Sequence, residues 1–236
     1  MKKLILTLTA LTAFVGGAFA APTVINSLPA TIIASGDYIL DPNAAAQPVP
    51  YGYPIAIYAG NVNLDLNGAT INTGAGMVIG TAFGGTGPID HVTVKNGTFN
   101  CIAVGNNGGG NATAGVWIQG ASYVSLLNLD FNGSFNGNCD AGSYDSIKNC
   151  SFESPIMIYA DHGDYENLVV AKQPTVWSNI GNQDQSLCST VGGSNSFKNI
   201  RVLSGNVQLT ATDTYQHFFF QPPSVVNGGI NLQPGH

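Results

Sequence analysis

The chain has 236 residues, of which 44% are hydrophobic and only 8% charged, with 30 glycines. That apolar share speaks against a disordered chain, where low hydrophobicity accompanies high net charge. Thirteen acidic against seven basic residues, a net charge of −6, speak against a nucleic-acid partner, which needs basic stripes.

In chain order, residues 1–20 read as a signal peptide: Lys2 and Lys3, an apolar stretch from Leu4 to Val15, then Ala18-Phe19-Ala20 as a small-x-small cleavage site. The stretch is too short for a spanning helix of about 20 residues, and no later segment is apolar enough, so no membrane span is expected. Cleavage would take the net charge from −6 to −8 and leave a secreted or periplasmic protein starting near Ala21. Residues 21–236 then read as one domain. Residues 21–50, with Pro42, Pro48 and Pro50, are expected to cap its first end.

Further along, one pattern recurs: apolar, any, Asn, small or apolar, any, apolar. It appears as Val94-Lys95-Asn96-Gly97-Thr98-Phe99 and Leu126-Leu127-Asn128-Leu129-Asp130-Phe131. It returns at Ile147–Phe152, Tyr165–Val170, Phe197–Val202 and Val225–Ile230, and an earlier copy at Leu66–Ile71 has Gly68 in the Asn slot. The slots are 18 to 32 residues apart, which suits one turn of a β-solenoid with loops of varying length. The apolar flanks point inward and the residues between point outward. Asn suits the bend because it tolerates left-handed backbone, and stacked Asn side chains are expected to form a buried amide ladder. A second strand precedes most copies: Ile55–Tyr58, Met77–Ile79, Val116–Gln119, Ile156–Tyr159, Val176-Trp177 and Val207–Leu209. At the far end, Phe218-Phe219-Phe220 with Pro222 and Pro223 read as a loop over the core. The expected fold class is all-β: a single-stranded, right-handed parallel β-helix of about eight coils with an Asn ladder and capped ends.

The stretch Val62-Asn63-Leu64-Asp65-Leu66-Asn67-Gly68-Ala69-Thr70-Ile71, with Ser35–Leu40 upstream, resembles the opening coil of pectate-lyase-like right-handed parallel β-helix proteins. The likeness covers nearly all of 21–236 and is one of fold. That superfamily holds polysaccharide lyases, hydrolases, esterases, epimerases, tailspikes and adhesins, so it implies a polysaccharide partner without choosing an activity.

The cysteines are Cys101, Cys139, Cys150 and Cys188, and disulfides are the default in an exported protein. Cys101 and Cys139 follow what reads as the same bend in adjacent coils and are expected to pair. Cys150 fills an inward slot, as a buried thiol or as a partner of Cys188.

The resemblance implies that a lyase would hold Ca against a substrate carboxylate with Asp or Glu and use Arg or Lys as base. The densest polar cluster is Asp161-His162-Gly163-Asp164-Tyr165-Glu166. It only loosely resembles the polygalacturonase aspartates and Gly-His-Gly, and that family's Arg-x-Lys is absent. The candidate catalytic residues are Asp161, His162 and Asp164, with Lys198 or Arg201 as the cation. The candidate metal ligands are Asp140, Asp145, Asp161 and Asp164, with Ca as the ion. The plainer alternatives are a polar turn for the cluster and a solvated salt-bridge ladder for Lys148, Glu166 and Lys198. Trp117, Trp177, Tyr58, Tyr159 and Tyr123 are candidates to line a sugar groove. Two functions stay open: a secreted polysaccharide lyase or glycoside hydrolase, and a non-catalytic surface, matrix or adhesin-like protein.

Overall fold

The computed structural model describes residues 20–81, 89–102, 114–133, 137–171, 185–189, 194–203, 206–210, 212–220 and 226–227. The expected leader up to residue 19, Val176-Trp177 and Pro222 and Pro223 lie outside the described residues.

The chain alternates between two all-parallel sheets and contributes the next strand in order at each visit. The first sheet contains, among others, Thr23–Ile25, Gly36–Leu40, Val62–Asp65, Ile89–Cys101, Ala121–Asn132, Ser146–Lys148, Asp164–Glu166, Ser196–Val202 and Thr214–Phe220. The second contains Ala30–Ile32, Ile55–Ile57, Met77–Gly80, Ala114–Gln119, Gly137–Ala141, Ile156–Ile158, Gln185–Ser189, Asn206–Gln208 and Val226–Asn227. No α-helix occurs among the described residues, and no helix there is long and apolar enough to cross a membrane. Ala121–Asn132 pairs with both Ser146–Lys148 and Ser151–Phe152, while Ser196–Val202 pairs with both Asp164–Glu166 and Val169–Val170. With the pairings between the short strands, these six close a ring. The ring arises because left-handed Asn149 and Asn167 each cut the first-sheet strand of their own coil into two pieces, while the flanking coils keep theirs whole.

Period-2 alternation fills the interior. Val62, Leu64, Val92, Val94, Val124, Leu126 and Ile147 point in from the first sheet. Ile55, Ile57, Met77, Ile79, Val116, Ile118, Ile156 and Ile158 point in from the second. Each such side chain contributes about 1.5–3 kcal/mol on burial. Past the Asn bend, Phe99, Phe131 and Phe152 stack with centroids 5.2 and 5.1 Å apart.

The Asn ladder runs through Asn96, Asn128, Asn149, Asn167 and Asn199, all at φ of 54–62°. Each side-chain amide donates to the preceding coil's side-chain carbonyl, at 3.1, 3.1, 2.8 and 2.9 Å. Asn96 Nδ2 donates to the Asp65 carboxylate at one end, and His217 (φ 54°) sits 3.0 Å from Asn199 Oδ1 at the other. Three expectations change here. Asn128, Asn149 and Asn167 are exposed, not buried, because the left-handed bend turns the side chain out while its apolar neighbours turn in. In the first copy Asn67 and Gly68 are both left-handed, so the slot holds a longer bend. Val226–Asn227 belongs to the second sheet, so the ladder's last rung is His217.

Both ends also differ from expectation. Residues 23–32 form strands of both sheets instead of a cap. Phe218, Phe219 and Phe220 lie in a strand paired with Ser196–Val202, not in a loop.

Asn149→Ala should lower stability by about 2 kcal/mol, losing two amide hydrogen bonds and adding left-handed strain. Asn149→Gly should cost clearly less in the same urea titration. Equal losses would mean that backbone strain plays no part.

Candidate functional site

Two polar arrays stand out, one on the outer face of the first sheet and one inside.

On the outside, the residue five before each ladder Asn is also left-handed: His91, Tyr123, Tyr144, His162 and Ser194, at φ of 46–59°. His91 and Tyr123 stack at 5.0 Å, Tyr123 and Tyr144 at 5.2 Å, and Tyr144 and His162 at 5.0 Å, all within 16° of parallel. Aromatic residues are uncommon in this backbone region. Here the mutual stacking of successive coils offsets the cost. His91 Nδ1 lies 3.4 Å from Asp90, and His162 Nδ1 lies 2.9 Å from Asp161.

Between this column and the Asn ladder run the outward side chains of the first sheet. One column reads Thr93, Ser125, Ser146, Asp164, Ser196, and the next Lys95, Leu127, Lys148, Glu166, Lys198. Lys148 Nζ lies 2.6 Å from Asp164 and 3.7 Å from Glu166, and Lys198 lies 3.1 Å from Glu166. The hydrogen bond to Asp164 is the main cause holding the Lys148 ammonium above its ordinary pKa. Lys95 reaches Asp65 at 3.8 Å. Lys148, Glu166 and Lys198 thus form the salt-bridge ladder that their spacing allowed. Arg201 is exposed beyond the Asn ladder, in a column with Val169 and Phe219, and is separated from Lys198 by the bend.

Inside, the register aligns Val62, Val92, Val124, Asp145, Gly163, Asn195 and Asp213 in one inward column. Where valine gives way to polar residues, each side chain serves the coil before it. Asp145 Oδ1 accepts from Val124 N–H at 2.8 Å, Asn195 Oδ1 from Gly163 N–H at 2.7 Å, and Asp213 Oδ1 from Asn195 N–H at 3.1 Å. Across the interior, Asp140 stands in a column of Ile57, Ile79, Ile118 and Ile158. It accepts from Tyr165 Oη–H at 2.7 Å and from Gly142 N–H at 3.2 Å. Gly163 makes room for this arrangement, since a Cβ there would run into the Tyr165 ring.

Asp140 and Asp145 are fully buried, and Asp145 Oδ2 meets no donor. A buried carboxylate oxygen without a donor is costly. As the hydroxyl of a carboxylic acid it would become a donor, with the neighbouring Asp140 carboxylate as acceptor. Burial, then the neighbouring Asp140 charge, pushes the Asp145 pKa up to about 9. Burial raises Asp140 and Tyr165 as well. Neighbouring buried carboxyls are expected to hold one proton between them, because both cannot ionise without strong repulsion.

The candidate residues therefore divide. Asp161 bonds His162, and Asp164 bonds Lys148, both on the surface, while Asp140 and Asp145 are sealed in the core. The four aspartates do not converge, and among the described residues no group of three or more His, Cys, Asp or Glu is placed to hold a metal ion. Of the aromatic candidates, Tyr123 has both ring faces covered by His91 and Tyr144. Trp117 is half-buried on the second sheet, its Nε1–H donating to Gln119 at 3.0 Å. Tyr159 is partly exposed, Tyr58 half-buried, and Trp177 outside the described residues.

The expected Cys101–Cys139 bridge is not formed, and Cys139 and Cys150 are thiols. Cys101 ends a first-sheet strand and Cys139 lies in the second sheet, so they do not share a bend. Burial raises both the Cys139 and Cys150 thiols to about 12.

Sequence reasoning missed His91 and Tyr144. The available signal was their constant offset of five residues before each Asn. No family model, curated protein or solved structure matches the chain.

Proposed function

We propose that the chain is an exported right-handed parallel β-helix of about eight coils that binds an extracellular polysaccharide on the outer face of its first sheet without cleaving it. The observation that carries this reading is how the exposed acids are engaged. Asp164 and Glu166 are tied to Lys148 and Lys198 on neighbouring coils. Carboxylates held in lateral ion pairs on a flat sheet form a polar binding surface; general acid–base work needs them aimed at one reacting bond. The columns of hydroxyls, paired charges and amides repeat once per coil, which suits an extended polymer lying across the coils. With the local charges neutralised within the face, a neutral glycan is favoured over a polyanion.

The second reading, a lyase or hydrolase, draws on the exposed Asp161–His162 pair at 2.9 Å. Co-sedimentation with a panel of insoluble neutral and uronic-acid polysaccharides tests the proposal. Retention on a neutral polymer is expected, with at least about tenfold weaker retention for Ser125→Arg/Ser146→Arg, where two neighbouring outward serines become bulky cations. Retention of that variant equal to wild type would remove the first-sheet face from the account.

A further inference from the structure

We propose that Tyr123 and Tyr144 form an oxidative modification site at which two adjacent coils become covalently joined through a dityrosine bond. The rings are stacked 5.2 Å apart and 10° from parallel, and the two residues are 49% and 50% exposed. Both backbones are fixed in the same left-handed conformation, at φ of 55° and 57°. Each is anchored to the next coil, Tyr123 N–H donating to Ser143 and Tyr144 N–H to Asp161, both at 2.8 Å. His91 covers the outer face of Tyr123 and His162 covers that of Tyr144. A radical on either ring therefore has the other tyrosine as its nearest phenol, and its remaining face is shielded from a second molecule.

The co-reactant is hydrogen peroxide with a haem peroxidase. Two one-electron oxidations remove the two phenolic O–H hydrogens and reduce one peroxide to two waters. The ortho carbons of the two phenoxyl radicals then form a C–C bond. The ortho hydrogens return to the oxygens by tautomerisation, so the product is the starting chain less two hydrogens. Fixed proximity favours coupling within the pair over coupling between molecules, because it makes a bimolecular step effectively unimolecular.

The test treats the dilute full chain with peroxidase and limiting peroxide, then maps cross-linked peptides by mass spectrometry. The expected product is a monomer lighter by two hydrogens, with one cross-link joining the peptides that contain Tyr123 and Tyr144. Tyr123→Phe and Tyr144→Phe, each with unchanged circular dichroism, should abolish that link, and Tyr51→Phe, altering a tyrosine that is 70% exposed, should leave it. Cross-links formed only between molecules, or a Tyr123–Tyr144 yield no higher than that of other tyrosine pairs, would overturn the proposal.

Discussion

Thermal stability should be highest in mild acid and fall as the pH rises towards about 9, and Asp145→Asn should flatten that fall. Asp145 has a folded pKa of about 9, against about 3.9 for an unfolded aspartate. Between those values the folded chain holds a proton that the unfolded chain has lost. The Asp145 contribution to stability therefore decreases with pH across this window and levels off above it. The groups facing the pair are Tyr165 from the first sheet, Asp213 further along the inward column and Cys139 beside Asp140. Of these, Tyr165 and Cys139 also have folded pKa values raised by burial, and their own losses of stability set in only from the ordinary thiol and phenol range, about pH 8.5 and above, at the top of this window. The expected loss between pH 5 and pH 9 is about 2 kcal/mol or more, on the order of 5 °C in Tm. In Asp145→Asn, the amide oxygen can keep the Val124 N–H bond, as Asn195 does for Gly163 in the same column. The amide nitrogen takes over donation to Asp140. An unchanged slope in the variant would remove the shared proton from the account.

Asp140→Ala should be among the most damaging single changes, at about 3–5 kcal/mol. It strips the acceptor from the buried Tyr165 hydroxyl and from the Asp145 proton, and it opens a cavity in an isoleucine column. Tyr165→Phe alone should cost about 1–3 kcal/mol, since the orphaned partner is then a carboxylate that keeps its other donors. Combined, the two should cost less than their sum by about 1 kcal/mol or more, because the second change removes the group that the first left unpaired. Additive losses in urea titrations would mean that Tyr165 and Asp140 are not coupled.

The all-β class, the parallel strands and the Asn bends were legible because they rest on residue type. The apolar–x–Asn pattern states both the inward flanks and the left-handed residue in one motif. The aromatic column was not legible in that way. Its positions hold His, Tyr, Tyr, His and Ser, and what they share is a backbone angle and an offset from the Asn, not a chemistry. Asp140 was misleading for a different reason. In Gly137–Ser143 it sits with two glycines, one asparagine and a serine and reads as a candidate metal ligand, yet strand alternation places it between Ile118 and Ile158. Donors the local sequence does not announce make that position tolerable: the Tyr165 hydroxyl from a coil one interval later, beside the Gly142 N–H. The expected cysteine pairing failed because spacing along the chain does not say which sheet a residue occupies.

The most direct test of the functional account is to incubate wild-type protein, with calcium, with the polysaccharide that retains it most strongly. Polymer length, reducing ends and the ultraviolet absorbance of unsaturated uronide product are then followed together. The account predicts a neutral polymer that stays bound and uncut. Shortened chains, new reducing ends or rising absorbance, lost in Asp161→Ala or His162→Ala, would contradict it and establish an enzyme built on the Asp161–His162 pair.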